Sequence, residues 1–201
     1  MIENDRILIV EDDPGVREIY MDILLPPRKT NVLSKGASLF DEPVPDVEAA
    51  VWKPYKLTLT ERGEKGIQEV EKAVRQKSPF AAAFIDMKMP GIDGAETAKR
   101  ILKTDPSIKI IIVTGFHEYT PDDIIRITGR EDIFYLRKPF NPEEIKQFAR
   151  VMTSQWILER ENESLTAKLR KMNNKLESLV RERTAKLIEA NRKLEILNQE
   201  K

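Results

Sequence analysis

Glu11 and Asp12, Asp86, Thr114 and Lys138 are the residues equipped for chemistry, and each position stands at or just beyond the end of a separate short apolar run. Parallel strands that end on one side of a sheet bring their carboxyl ends together, so these distant residues would share one acidic pocket. Several carboxylates in one cleft repel one another. A hard divalent cation is the natural compensation, and oxygen-only donors favour Mg2+ over softer metals. A nucleophilic acid beside an ammonium and a hydroxyl suits phosphoryl transfer onto a carboxylate. Each residue alone has a plainer explanation: Asp12 as a helix N-cap before Pro14, Thr114 as a turn cap, Lys138 as a solvated charge. Their joint placement at strand ends carries the chemical reading.

The elements that must position them follow from periodicity. Arg6 to Val10 is a short branched apolar run, and Pro14 opens a helix with Val16, Ile19, Tyr20, Ile23 and Leu24 at helical spacing. Tyr55 to Thr60 alternates like a strand, and Gly66 to Val74 places Ile67, Val70, Ala73 and Val74 on one helix face. Phe80 to Ile85 is apolar without alternation, as in a strand buried on both faces. After the turn Met89-Pro90-Gly91-Ile92-Asp93-Gly94 a helix runs to about Lys103 and ends at Asp105-Pro106. Ile108 to Val113, the most hydrophobic run, is expected at the sheet centre; Pro121 to Gly129 reads as a helix and Ile133 to Leu136 as the last strand. Five strands alternating with helices predict an α/β fold with a doubly wound parallel sheet. Residues 26–54, with Pro26, Pro27, Pro43, Pro45 and Pro54 and no sustained period, read as an inserted excursion between the first helix and the second strand. Leu39, Phe40, Val51 and Trp52 would be its apolar contacts, either with the domain edge or with a partner.

Composition excludes several functions. Lys plus Arg equals Asp plus Glu at 34 each, so no net field draws in nucleic acid or an anionic membrane. The absence of cysteine removes disulfides, thiol catalysis and thiolate metal sites, and a single histidine, His117, argues against a zinc cluster. No apolar run approaches membrane-spanning length, and no basic and apolar leader follows Met1, so a cytoplasmic location is expected.

Val10-Glu11-Asp12, Asp86-Met87-Lys88-Met89-Pro90-Gly91, Val113-Thr114-Gly115 and Lys138-Pro139-Phe140 together resemble, in order, the receiver domain of two-component response regulators. The resemblance covers residues 5 to about 150 apart from the excursion, and sets a receiver domain at 1–150. It implies a flavodoxin-like sheet of order 2-1-3-4-5 and phosphorylation by a sensor histidine kinase or phosphotransfer protein. It also implies that Tyr135 is a switch aromatic filling space that Thr114 leaves, and that the Lys138–Pro139 bond is cis. A half-buried Tyr with its hydroxyl at the surface is the plainer account of Tyr135. The residue chemistry assigns Asp12 and Asp86 as direct Mg2+ ligands, Glu11 as a ligand through water and the Lys88 backbone carbonyl as the remaining donor. Asp86 is the nucleophile, Lys138 holds a phosphoryl oxygen and the Thr114 hydroxyl donates to another. Asp13 is expected at the edge of the site, and Met87 and Met89 as core filler.

From Asn141, an N-cap before Pro142, no helix breaker appears to the end of the chain; at 1.5 Å per residue such a helix would run about 90 Å. Leu165, Leu169, Met172, Leu176 and Leu179 alternate steps of four and three, the seam of a coiled coil over 151–201. The seam then takes two steps of four, to Arg183 and Leu187, before Ala190, Leu194 and Leu197 resume the pattern; that is a stutter. Leu176 to Leu197, with Glu182-Arg183-Thr184 at its core, resembles the signalling helix, a parallel dimeric connector to output domains. The expectation is therefore a homodimer relaying a phosphorylation switch to an output domain beyond residue 201, such as a histidine kinase, diguanylate cyclase or phosphodiesterase. The end in mid-heptad fits that expectation. A stand-alone adaptor or phosphate sink is the alternative. A haloacid-dehalogenase-like phosphatase would need an acid two residues after its nucleophile, where this chain has Lys88.

Overall fold

The computed structural model describes residues 3–25, 54–115 and 119–199, the last six of them as helix backbone alone. Residues 26–53 of the excursion, with Leu39, Phe40, Val51 and Trp52, as well as His117 and the seam side chains of Leu194 and Leu197, lie outside the described residues. The elements alternate without exception: β1 Arg6–Val10, α1 Pro14–Leu24, β2 Lys56–Thr60, α2 Gly63–Arg75, β3 Ala82–Asp86, α3 Gly94–Thr104, β4 Lys109–Thr114, α4 Pro121–Thr128, β5 Phe134–Arg137 and α5 Pro142–Gln199. All four strand pairings are parallel, and the sheet order is β2-β1-β3-β4-β5. This is the doubly wound, flavodoxin-like sheet with a long C-terminal helix. The centre of the sheet is β3, not β4 as hydrophobicity alone suggested; β4 is an interior strand between β3 and β5.

Strand side chains alternate between two cores, so both faces of β1, β3 and β4 are dry. Leu8, Val10, Ala83, Ile85, Ile110 and Ile112 meet Val70 and Ala73 of α2, Ala98 and Ile101 of α3 and Ile124 of α4. Ile7, Ile9, Ala82, Phe84, Ile111 and Val113 meet Tyr20, Ile23 and Leu24 of α1 and Ile145, Ala149 and Met152 of α5. Two residues placed on apolar helix faces by periodicity depart from this: Ile19 and Val74 are exposed. Each flanks the buried stripe of its helix, where a 100°-wide face runs out.

Local capping sets where the helices begin. The Asp13 carboxylate accepts from the N–H groups of Gly15 and Val16, so Asp13, rather than Asp12, caps α1. Thr120 and Asp123 form a reciprocal capping box on α4, and Gly129 ends it at φ 71°. The Asn141 side chain accepts from the Glu143 N–H while the Glu144 carboxylate accepts from the Asn141 N–H, which opens α5 at Pro142. The Lys138–Pro139 peptide is cis.

The described residues divide into two compact units, one within residues 3–157 and the other residues 158–199. The sheet and its helices make the first. In the second, Leu165, Leu169, Met172, Leu176, Leu179 and Leu187 are exposed, and so are Arg183 and Ala190. Among the described residues no helix is long and apolar enough to cross a membrane.

Candidate functional site

The backbone ladder carries the strand ends into register. Val10 is paired with Ile85 and Thr60, Asp86 with Val113, and Thr114 with Arg137. Beyond the paired residues the Glu11 N–H donates to the Thr60 carbonyl, Met87 to Val113 and Lys138 to Thr114. These bonds leave no freedom in how Glu11, Asp86, Thr114 and Lys138 line up along the carboxyl edge. Gly94, the first residue of α3, abuts the same point: a Cβ there would lie 2.4 Å from the Asp86 carbonyl oxygen and 2.8 Å from the Met87 Cα. Gly91, at φ 95°, supplies the left-handed turn of the loop between them.

Lys138 is the organising charge. Its Nζ lies 2.7 Å from Glu11 Oε2 and 3.0 Å from Asp86 Oδ1. Glu11 and Asp86 are buried, and the pKa of each carboxyl group is raised above its ordinary range. For both, burial is the main cause; Lys138 pulls the other way, and a neighbouring carboxylate adds to the rise, Asp86 for Glu11 and Asp12 for Asp86. Burial pushes the Lys138 ammonium down, but its bonds to Glu11 and Asp86 outweigh that and hold it above its ordinary value.

Glu11, Asp12 and Asp86 each bring one carboxylate oxygen within 4.8 Å of the others. Three acids stand against one lysine there, and the donors are all hard oxygens. The donor set fits a divalent cation such as Mg2+. Asp12 is half-buried at the mouth, free of the capping duty that Asp13 performs. The Lys88 side chain is exposed.

Thr114 is buried and its hydroxyl donates to the Gly115 carbonyl at 3.0 Å. Tyr135 is half-buried against the core that includes Ile112 and Ile124. Its phenol is pushed up to about 12 by burial and by the charges of Asp122 and Asp123 on α4. Met87 and Met89 are buried in the same core.

Two further residues bear on the pocket. The Arg17 guanidinium donates to the carbonyl oxygens of both Glu11 (2.6 Å) and Asp12 (2.8 Å), tying the acidic loop to α1. Nothing in the sequence sets Arg17 apart from a solvated helical arginine. Tyr20 packs against Phe84 and Phe140, each ring centroid 5.5 Å away, and its buried hydroxyl has no hydrogen-bond partner among the described residues. Burial, with the charges of Glu11 and Asp86, raises its phenol well above the usual range.

A parallel sheet of this order, with three acids and a lysine at its carboxyl edge, defines a flavodoxin-like α/β module with an acidic site. The family model of the response regulator receiver domain matches residues 53–150. The response regulator receiver protein CpdR of Brucella abortus is 35% identical over 93 residues, 45% of this chain and 70% of that protein. Sporulation initiation phosphotransferase F of Bacillus subtilis is 29% identical over 143 residues, 71% of this chain and 89% of that protein. The B. subtilis uncharacterized transcriptional regulatory protein YesN is 32% identical over 94 residues, but the match spans only 24% of its length. Among solved structures, a CheY-like receiver domain protein from Methanospirillum hungatei has TM-score 0.55 at 22% identity, covering 78% of this chain and 99% of that one. An adenylate cyclase structure from Rhodopirellula baltica has TM-score 0.60 at 22% identity, covering 82% and 98%. The chain belongs to the response regulator receiver family, the phosphoacceptor class of two-component signalling.

Proposed function

We propose that Asp86 is the phosphoacceptor of this chain and that a sensor histidine kinase or a phosphotransfer protein is its donor. The observation that carries this reading is the Lys138 ammonium bridging Glu11 and Asp86 at the carboxyl edge of the sheet. An Asp86 carboxylate oxygen attacks the phosphorus of a phosphohistidine; the P–N bond breaks, and the imidazole leaves with the electron pair and takes a proton. Lys138 passes from Asp86 to an oxygen of the arriving phosphoryl group while keeping Glu11. The Thr114 hydroxyl turns from the Gly115 carbonyl to another phosphoryl oxygen, and Tyr135 takes up the space this frees. Asp12 and Asp86 would hold Mg2+ directly, Glu11 through water and Lys88 through its carbonyl; the ion supplies positive charge to the phosphoryl oxygens.

The exposed stripe from Leu165 to Leu187 supports a homodimer, with Arg183 at the stutter leaving the packing near balance between two arrangements. In this reading α5 carries the switch at β5 to the stripe and on to an output domain, within the cytoplasm. Two glycines inserted near Ser154 should abolish the dependence of dimer geometry on phosphorylation; coupling that survives the insertion refutes the relay.

The test of the acceptor is intact-protein mass after acetyl phosphate and Mg2+. Wild type should gain one phosphoryl group and Asp86→Asn none. A gain in the variant assigns the acceptor elsewhere. The 89% coverage of a relative named as a phosphotransferase favours a second reading, in which the chain passes its phosphoryl group onward as a relay or sink. Transfer from the phosphorylated chain to a histidine phosphotransfer protein would mark that role.

A further inference from the structure

We infer that Asn162 fixes the orientation and register of the helix dimer, so that a second copy of this chain docks in parallel with each seam residue opposite itself. This rests on the dimer reading above and goes further, by naming the residue that selects one alignment.

Extending the seam of the second unit towards its start places Leu158, Leu165, Met172 and Leu179 in one line of sevenfold spacing. Asn162, Leu169, Leu176 and Arg183 form the other. Leu158 is 59% exposed and Leu165 56%, so the apolar surface continues on both sides of Asn162, itself exposed. A second helix on this stripe would bury the Asn162 amide. In the parallel, in-register pair each member of the Asn162 line faces its own counterpart, and the amide NH2 of one copy meets the amide oxygen of the other. A slip of one heptad sets Asn162 against Leu169 of the partner subunit. An antiparallel pair sets members of one line against members of the other, so Asn162 faces Leu or Met. Each of those alternatives strands a buried donor and acceptor.

The flanks agree with the same alignment. In a parallel pair the residue just before each Asn162-line position lies beside the partner residue five further on. These pairs are Glu161 with Thr166, Lys168 with Asn173 and Lys175 with Val180, and none sets like charges together. Arg183 would meet its own counterpart, and there Glu182 of the partner subunit, in the adjoining flank position, supplies the opposite charge. A partner lacking an amide at that height would leave Asn162 unpaired, which is why the occupant is a second copy.

The chain has no cysteine, so one introduced thiol is unique. The experiment mixes full-length Leu165→Cys and Met172→Cys chains in a glutathione redox buffer and identifies the disulfide-linked species by intact mass. Each chain should cross-link only to its own kind. The mixed species, which reports a one-heptad slip, should rise about tenfold or more when Asn162→Leu is added to both. Sedimentation equilibrium on the same proteins reads the subunit number, which should be two with Asn162 and mixed with Leu. An Asn162→Leu pair that remains dimeric and forms no mixed species overturns this inference and leaves the dimer standing. A parent chain that sediments as a monomer and forms no disulfide overturns the dimer and this inference together.

Discussion

Replacing Lys138 with Met keeps most of the stem and removes the charge that two buried carboxylates share. A hydrogen bond to a charged group contributes roughly 1.5–3 kcal/mol, and breaking a fully buried pair costs roughly 3–5 kcal/mol. The Lys138 side chain is 27% exposed, and solvent screening moves the loss to the low end of those ranges. We expect about 2–3 kcal/mol near neutral pH, or about 5–10 °C in Tm for a chain of this size. The pH dependence separates charge from packing. The folded pKa of Lys138 is raised, so its contribution is complete below its unfolded pKa and disappears only as pH rises through the folded value. At the acid end the partners decide. Glu11 and Asp86 have raised folded values, so their charges, and the attraction to Lys138, vanish as pH falls through a range above the ordinary carboxylate one. Without Lys138 both acids lose an influence that holds them down, and the variant relieves its repulsion by binding protons at still higher pH. The gap between wild type and Lys138→Met should therefore be widest from neutral to mildly alkaline pH and narrow on acidification. Thermal melts followed by circular dichroism in a chelating buffer, from about pH 4.5 to 8.5, read this directly. A gap of constant size across that range would refute the electrostatic account and leave Lys138 as a packing residue.

Gly94→Ala sets a methyl group against the Asp86 carbonyl oxygen and the Met87 Cα, and overpacking of this kind costs about 1–3 kcal/mol. Because the colliding atoms are the Asp86 carbonyl and the next Cα, beside the carboxylate proposed as the acceptor, acetyl phosphate labelling should slow along with the fall in Tm; unchanged labelling would show that α3 shifts instead. Tyr20→Phe removes a buried hydroxyl that has no partner among the described residues, and should raise stability by about 1 kcal/mol, measured by urea unfolding. Destabilisation would mean that the hydroxyl is bonded in solution. Arg17→Ala removes the Nη1 that donates to both the Glu11 and the Asp12 carbonyls, so Mg2+ affinity by calorimetry should fall about tenfold with little change in Tm. Equal affinity would show that the acidic loop holds itself.

The parts of the site legible in the sequence were those tied to strand ends, because a strand buried on both faces must read as an unbroken apolar run and must then stop. Ile7 to Val10, Ala82 to Ile85 and Ile110 to Val113 all do so, and the next residues are Glu11, Asp86 and Thr114. What periodicity could not rank was position within the sheet. β3 is central yet begins with Ala82 and Ala83, whereas β4 carries three isoleucines; hydrophobicity follows side-chain volume, while burial is nearly complete in both. Asp12 and Asp13 were likewise interchangeable as letters, and only the position directly before the first helical residue assigns the cap to Asp13 and releases Asp12 for the pocket. Arg17 carried no distinguishing pattern, since a lone arginine on a helix is most often solvated.

The segment 26–53 separates Glu11 and Asp12 along the chain from the rest of the site, yet topology places them beside it. The family-model match begins at residue 53, the last of that segment, and so omits Glu11 and Asp12. Yet β1 lies between β2 and β3, paired with both from Ile7 to Val10, so its end must fall beside Asp86. A longer connection between α1 and β2 changes neither pairing. Loop-closure entropy grows only logarithmically, about 0.6 kcal/mol for each doubling of length, which is small against the burial of one apolar strand residue at roughly 1.5–3 kcal/mol. The pocket is therefore set by sheet order and register, and a sequence can lengthen that connection without giving up the chemistry at its edge.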